Sequence, residues 1–125
     1  MAEAQNFTIA VKNHTSMNFL PGEEKMEYGG VYRKNTIKKR TATSTVFYAR
    51  GDRDAAAGTE GTLTYTSEDG TASITFKWDI PWGFGDDKLD VQAFGDIKLE
   101  QTSWRGDDVL RKVVEVIIYD DIPLL

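Results

Sequence analysis

Side chains able to do covalent or metal chemistry are few in this chain. It has one histidine, His14, and no cysteine, which excludes thiol nucleophiles, redox pairs, disulfide scaffolds and Cys-ligated zinc together. A Ser-His-Asp relay would have to run through His14, but Asn13-His14-Thr15 is a polar stretch after an alternating segment and reads as an exposed turn. The twenty Asp and Glu residues offer many carboxylate pairs, none singled out for acid–base work. Asp86, Asp87 and Asp90 follow Gly83-Phe84-Gly85 without the alternating acidic register of a calcium loop, so they read as a solvated loop. Gly51, Gly58 and Gly61 precede neither a helix nor a Lys-Ser/Thr pair and make no phosphate cradle. Two Arg-Gly-Asp tripeptides, beginning at Arg50 and Arg105, are compositions that turns favour. The expectation is a protein that binds and does not catalyse, with no metal and no cofactor.

The residues that suit binding are aromatic. In Trp78-Asp79-Ile80-Pro81-Trp82-Gly83-Phe84-Gly85 a strand meets a proline, which cannot donate to a ladder, and the chain then presents Trp82 and Phe84 in a glycine-flanked loop. An amphipathic indole suits the headgroup zone of a bilayer or the face of a sugar ring; it also suits folding back to cap a core. All three readings remain open at this point.

The elements that must carry this loop follow a period of two. Phe7, Ile9 and Val11 alternate with polar or small residues, as do Leu63 and Tyr65, then Ile74, Phe76 and Trp78, then Leu89, Val91 and Ala93. Asp69-Gly70 and Gly95-Asp96 supply hairpin turns, and Val113 to Tyr119 is β-branched and nearly continuous in hydrophobicity, the mark of a strand covered on both faces. Helical signals are confined to single turns at Asp54–Ala57 and Asp107–Lys112. Eight to ten short strands in 125 residues predict an all-β, single-domain antiparallel β-sandwich spanning 1–125.

Charge is unevenly spread. Residues 1–50 carry a balance of +4 and residues 51–125 one of −9, for a net charge of −5. The basic run from Arg33 to Arg40 reads as a solvated edge strand that blocks aggregation, and an acidic chain is not expected to bind nucleic acid. The opening residues show neither a basic nor an apolar signal-peptide region. The expectation is a soluble protein, cytoplasmic or released by a non-classical route.

Asp54-Ala55-Ala56-Ala57-Gly58-Thr59-Glu60-Gly61-Thr62, followed after a hairpin by Trp78-Asp79-Ile80-Pro81-Trp82-Gly83, resembles the paired motif of the aegerolysins, small acidic β-sandwich proteins of fungi and bacteria. The looser likeness runs from Phe7 to Tyr119. The resemblance implies peripheral binding to membrane lipids of the sphingolipid-rich type and action at target membranes. It also implies a larger perforin-like partner, in a haemolytic or insecticidal toxin of which this chain is one component. The family's membrane-facing aromatics correspond to Trp78 and Trp82 and, by position before Gly29, to Tyr28; the exposed loop adds Phe84. Departures touch the lipid: Ala57 stands where fungal members have an acidic residue, Ile80 where some have cysteine, and Phe7 is the sole N-terminal aromatic. A carbohydrate-binding lectin of similar sandwich fold is the alternative reading of the same loop.

The sequence also speaks against a solitary pore. Six residues precede the first strand, whereas a membrane-crossing helix needs about 20. The segment from Gly61 to Trp78 is outwardly Thr, Ser and Lys, unlike a lipid-facing hairpin.

Overall fold

The computed structural model describes residues 6–51, 58–81, 87–102, 105–108 and 111–121. Their ten strands are β1 (Asn6–Asn13), β2 (Phe19–Tyr28), β3 (Gly30–Tyr32), β4 (Thr41–Arg50), β5 (Thr59–Ser67), β6 (Ser73–Ile80), β7 (Lys88–Phe94), β8 (Ile97–Gln101), β9 (Arg105–Asp108) and β10 (Arg111–Asp120). One sheet is ordered β3-β4-β1-β10-β8 with β9 beside β10; the other is β2-β5-β6-β7. This is the expected sandwich.

The alternating residues face one another across it. Phe7, Ile9 and Val11 of β1 and Val114, Val116 and Ile118 of β10 close on Leu63, Tyr65, Ile74, Phe76 and Trp78 of the second sheet, all buried. Phe47 of β4 lies at the centre, with ring centroids 5.3 Å from Phe76, 5.5 Å from Trp78 and 6.3 Å from Tyr65. Such stacked, tilted and edge-on aromatic contacts add to the area each ring buries.

The sheets are predominantly antiparallel, with one parallel pair, β1 and β10, from Asn6↔Arg111 to Asn13↔Ile118. Several finer expectations are corrected. β10 is covered on one face only: Val114, Val116 and Ile118 are buried while Val113 is exposed and Ile117 half-buried. Its apolar run reflects a central position in the ladder, where β-branched residues suit the pleat on either face. Asp107 and Asp108 belong to β9 and Arg111 and Lys112 to β10, which pair as antiparallel strands and not as a helical turn; Val109 and Leu110 lie outside the described residues. The Asp69-Gly70 turn joins paired strands β5 and β6, with Gly70 at φ 76°. Gly95, at φ 99°, instead carries the chain from β7 in one sheet to β8 in the other.

The basic run is not an edge strand. Residues 33–40 connect β3 to β4 and form no strand, with one isolated bridge where Ile37 meets Phe19. Arg33 and Arg40 adopt left-handed backbone, φ 52° and 48°, which lets the connection turn at both ends. The single-turn signal at Asp54–Ala57 lies outside the described residues.

Candidate functional site

The register gathers the candidate residues at one end of the sandwich. Tyr28 pairs with Glu60, Glu60 with Asp79 and Asp79 with Lys88. In the facing sheet Gly30 pairs with Arg50 and Asn6 with Arg50. β2 runs through Gly29 directly into β3, so these two sheet ends are the same end of the molecule. Gly51, Gly58, Pro81 and Asp87 all leave strands there.

Tyr28 is 66% exposed, a large aromatic turned to solvent at this rim. The residue after it must be glycine: Gly29 has φ 78°, and a Cβ there would lie 2.1 Å from the Arg50 carbonyl oxygen. Trp82 and Phe84 lie outside the described residues; β6 ends at Ile80, at the same end as Tyr28.

Trp78 is a correction. It is 1% exposed and packs between Phe7, at a centroid distance of 6.0 Å, and Phe47. The alternation that places Ile74 and Phe76 inward places Trp78 inward too, so its ring faces the core and not a membrane. Its indole N–H donates to Thr59 Oγ1 at 3.2 Å, and the Thr59 hydroxyl donates to the Tyr28 carbonyl at 3.3 Å. Trp78 is thus tied to the exposed tyrosine through one buried hydroxyl. Thr59, the Thr of the Gly-Thr pair, was legible in the motif but not as this link, because β2 and β6 flank β5 only once the strands are paired.

Two adjoining hollows open near this end, with Trp78 among the lining residues of both. One of about 400 Å³ is lined by Lys25, Glu27, Tyr28 and Thr62; the other, about 490 Å³, by Asp79, Asp87, Lys88 and Leu89; Glu60 and Lys77 border both. Both hollows are therefore lined by cations and carboxylates together. Asp87 is not the solvated residue the sequence suggested: its carboxylate pairs with Lys112 of β10 in the facing sheet, and among the described residues its buried Oδ1 has no hydrogen-bond partner. Asp90 is exposed on β7, while Asp86 lies outside the described residues.

Other candidates fall elsewhere. His14 is exposed and stacks on Tyr119 at 5.0 Å, at the opposite end of β1. Among the described residues no cluster of His, Asp and Glu could hold a metal ion. Phe7 is core.

The sequence profile of the aegerolysins matches residues 4–105. The chain belongs to the aegerolysin family. Solved structures agree in fold. The lipid-binding protein Nakanori superposes with a TM-score of 0.72 at 17% identity, covering 94% of this chain and 72% of that one. The RahU protein, solved with a TRIS molecule, gives 0.67 at 12% identity over 94% and 95% of the two chains. IP-1A from Alcaligenes faecalis gives 0.65 at 18% identity over 97% and 96%. No curated protein sequence matches the chain. In this aegerolysin the family's Gly-Thr and Trp-Asp motifs meet at the Trp78–Thr59–Tyr28 link, which gives both a role in building one end of the sandwich.

Proposed function

We propose that this chain is a peripheral membrane-lipid-binding module that docks through the end bearing Tyr28, with Trp82 and Phe84 as the other contacting aromatics. The observation that carries this reading is Tyr28, a large exposed aromatic whose backbone carbonyl is hydrogen-bonded by Thr59 and which lines one of two adjoining hollows with both signs of charge. An interfacial tyrosine gains from the headgroup zone what it cannot gain in water. A zwitterionic headgroup, as on sphingolipids, offers a phosphate to Lys25, Lys77 or Lys88 and a cation to Glu27, Glu60 or Asp79. The family membership and the lipid-binding title of one structural neighbour support the same reading.

The chain acts in this proposal as the recognition component, without catalysis, and a larger perforin-like protein supplies the pore; a haemolytic or insecticidal outcome would belong to that pair. Two structural facts support the division. The apolar side chains of the β5–β6 hairpin, Leu63, Tyr65, Ile74 and Phe76, are all buried in the core. No helix among the described residues is long and apolar enough to cross a membrane.

Sedimentation with vesicles of phosphatidylcholine alone, with sphingomyelin, and with sphingomyelin and sterol tests the reading. Enrichment on the sphingolipid vesicles is expected. Equal absence from all three, with the protein shown folded, would overturn it, and binding to a glycan array in its place would favour a lectin.

A further inference from the structure

The opposite end of the sandwich carries a second surface that lipid docking does not use. Lys38, Lys39 and Arg40 stand there on a connection whose backbone is held at several points. Asn35 N–H donates to the Val46 carbonyl at 2.8 Å, and the buried Tyr65 hydroxyl donates to the Asn35 carbonyl at 2.9 Å. The buried Asn13 amide donates to the Lys38 carbonyl at 3.1 Å, Lys39 N–H donates to Asn18 Oδ1 at 2.8 Å, and Arg40 N–H to the Thr15 carbonyl at 3.1 Å. Buried polar residues are costly unless satisfied; here Asn13 and Thr15 satisfy each other and hold the loop, with Thr15 N–H on Asn13 Oδ1 at 2.9 Å.

The cations so presented are not neutralised alike. Lys34 pairs with Glu24 at 2.6 Å, and Lys39 borders a hollow with Glu68 and Asp69. Lys12, Lys38 and Arg40 make no ion pair among the described residues. Lys12 and Arg40 line a hollow of about 310 Å³ with His14 and Thr41; Lys38 lines another of about 450 Å³ with Thr36, Thr41, Ser44 and Thr45. Thr41 belongs to both, and no carboxylate lines either. The nearby Glu115 carboxylate accepts the Thr43 hydroxyl at 2.6 Å.

We infer that this surface binds a phosphorylated polyol, its phosphates on Lys12, Arg40 and Lys38 and its hydroxyls on the Thr36, Ser44 and Thr45 row. Three unpaired cations match a multiply charged anion, and a rigid loop loses little conformational entropy on binding it. A row of hydroxyls and one amide, Asn35, adds nothing for a bare anion but matches a polyol. The same chemistry occurs free in solution and as an inositol-phosphate lipid headgroup.

Titration calorimetry of the whole chain with inositol trisphosphate tests the assignment. Saturable binding is expected, weakened at least tenfold in Lys12→Gln/Arg40→Gln and restored in Lys12→Arg/Arg40→Lys. The equally charged control Arg50→Gln/Lys98→Gln is expected to stay within twofold of wild type. Inorganic phosphate is expected to bind at least tenfold more weakly. Phosphatidylcholine vesicles with and without phosphatidylinositol bisphosphate then separate the sources: binding only to the soluble compound supports a free ligand, and binding to both supports a headgroup. No saturable binding in either form, or an equal loss in the control, would overturn the inference. Sphingolipid sedimentation of Lys12→Gln/Arg40→Gln is expected unchanged, so this surface and the Tyr28 end can fail separately.

Discussion

Tyr28 and Trp78, expected together at a membrane, lie in opposite surroundings, the first exposed and the second buried. An exposed aromatic at a membrane interface contributes about 1–2 kcal/mol, so Tyr28→Ala should weaken vesicle binding about tenfold with the thermal midpoint unchanged. Trp78→Ala should behave oppositely, costing about 3–5 kcal/mol of stability as other large-to-small core changes do, read by denaturant unfolding. Thr59→Val tests the link between them. It keeps the volume but leaves the indole N–H without its acceptor and the Tyr28 carbonyl without its donor, a loss of about 1–3 kcal/mol, and vesicle binding should fall as Tyr28 loses its anchor. Period two alone would have placed Trp78 inward, level with Ile74 and Phe76. The resemblance drew it outward because a motif tryptophan and a membrane tryptophan look alike until the strand is paired. Thr59 was hidden for the same reason, as its partners lie on two different strands.

At the scale of elements, the strands were legible and their partners were not. Alternation of β1, β5, β6 and β7 follows directly from residue types, and so does the Asp69-Gly70 turn. The parallel pairing of β1 with β10 could not be read, because it joins the two ends of the chain and no turn chemistry announces it. The same holds for the sheet change at Gly95. Two left-handed glycines allow a comparison of turn with packing. Gly70→Ala meets no atom within 4 Å and should cost only about 1–2 kcal/mol of conformational energy. Gly29→Ala has the same backbone demand plus a clash with the Arg50 carbonyl, so its loss of stability should clearly exceed that of Gly70→Ala and should be accompanied by weaker vesicle binding. The β5–β6 turn also carries a pH signature. Asp69 Oδ1 accepts from Thr71 N–H and from the Ser67 and Thr71 hydroxyls, which hold its carboxyl below the usual range. A depressed folded value means stabilisation present above the unfolded carboxylate value and lost as pH falls through the folded one. Asp69→Asn should therefore flatten the thermal midpoint's dependence on pH in the acid range.

The whole molecule is a sandwich with two dissimilar ends. One carries Tyr28, the paired family motifs and hollows of mixed charge; the other carries the fixed basic connection. The basic run of the first half is tied to one end by Asn13, Thr15 and Asn18, where Glu68 and Asp69 of the second half also lie. With the apolar side chains of the β5–β6 hairpin committed to the core, the chain alone should bind vesicles without releasing an entrapped dye, and leakage by the purified chain would contradict the division of labour with a larger partner. The end that meets the lipid can be identified with one matched set of variants. Phe94 is 77% exposed and pairs with Ser73 at the far end of β7 from Lys88, so it is an aromatic equally available to a membrane but placed at the other end. Co-sedimentation with sphingomyelin–sterol vesicles should be lost in Tyr28→Ala/Trp82→Ala and retained in Phe94→Ala. Retention in the first variant with loss in the second would contradict docking through the Tyr28 end.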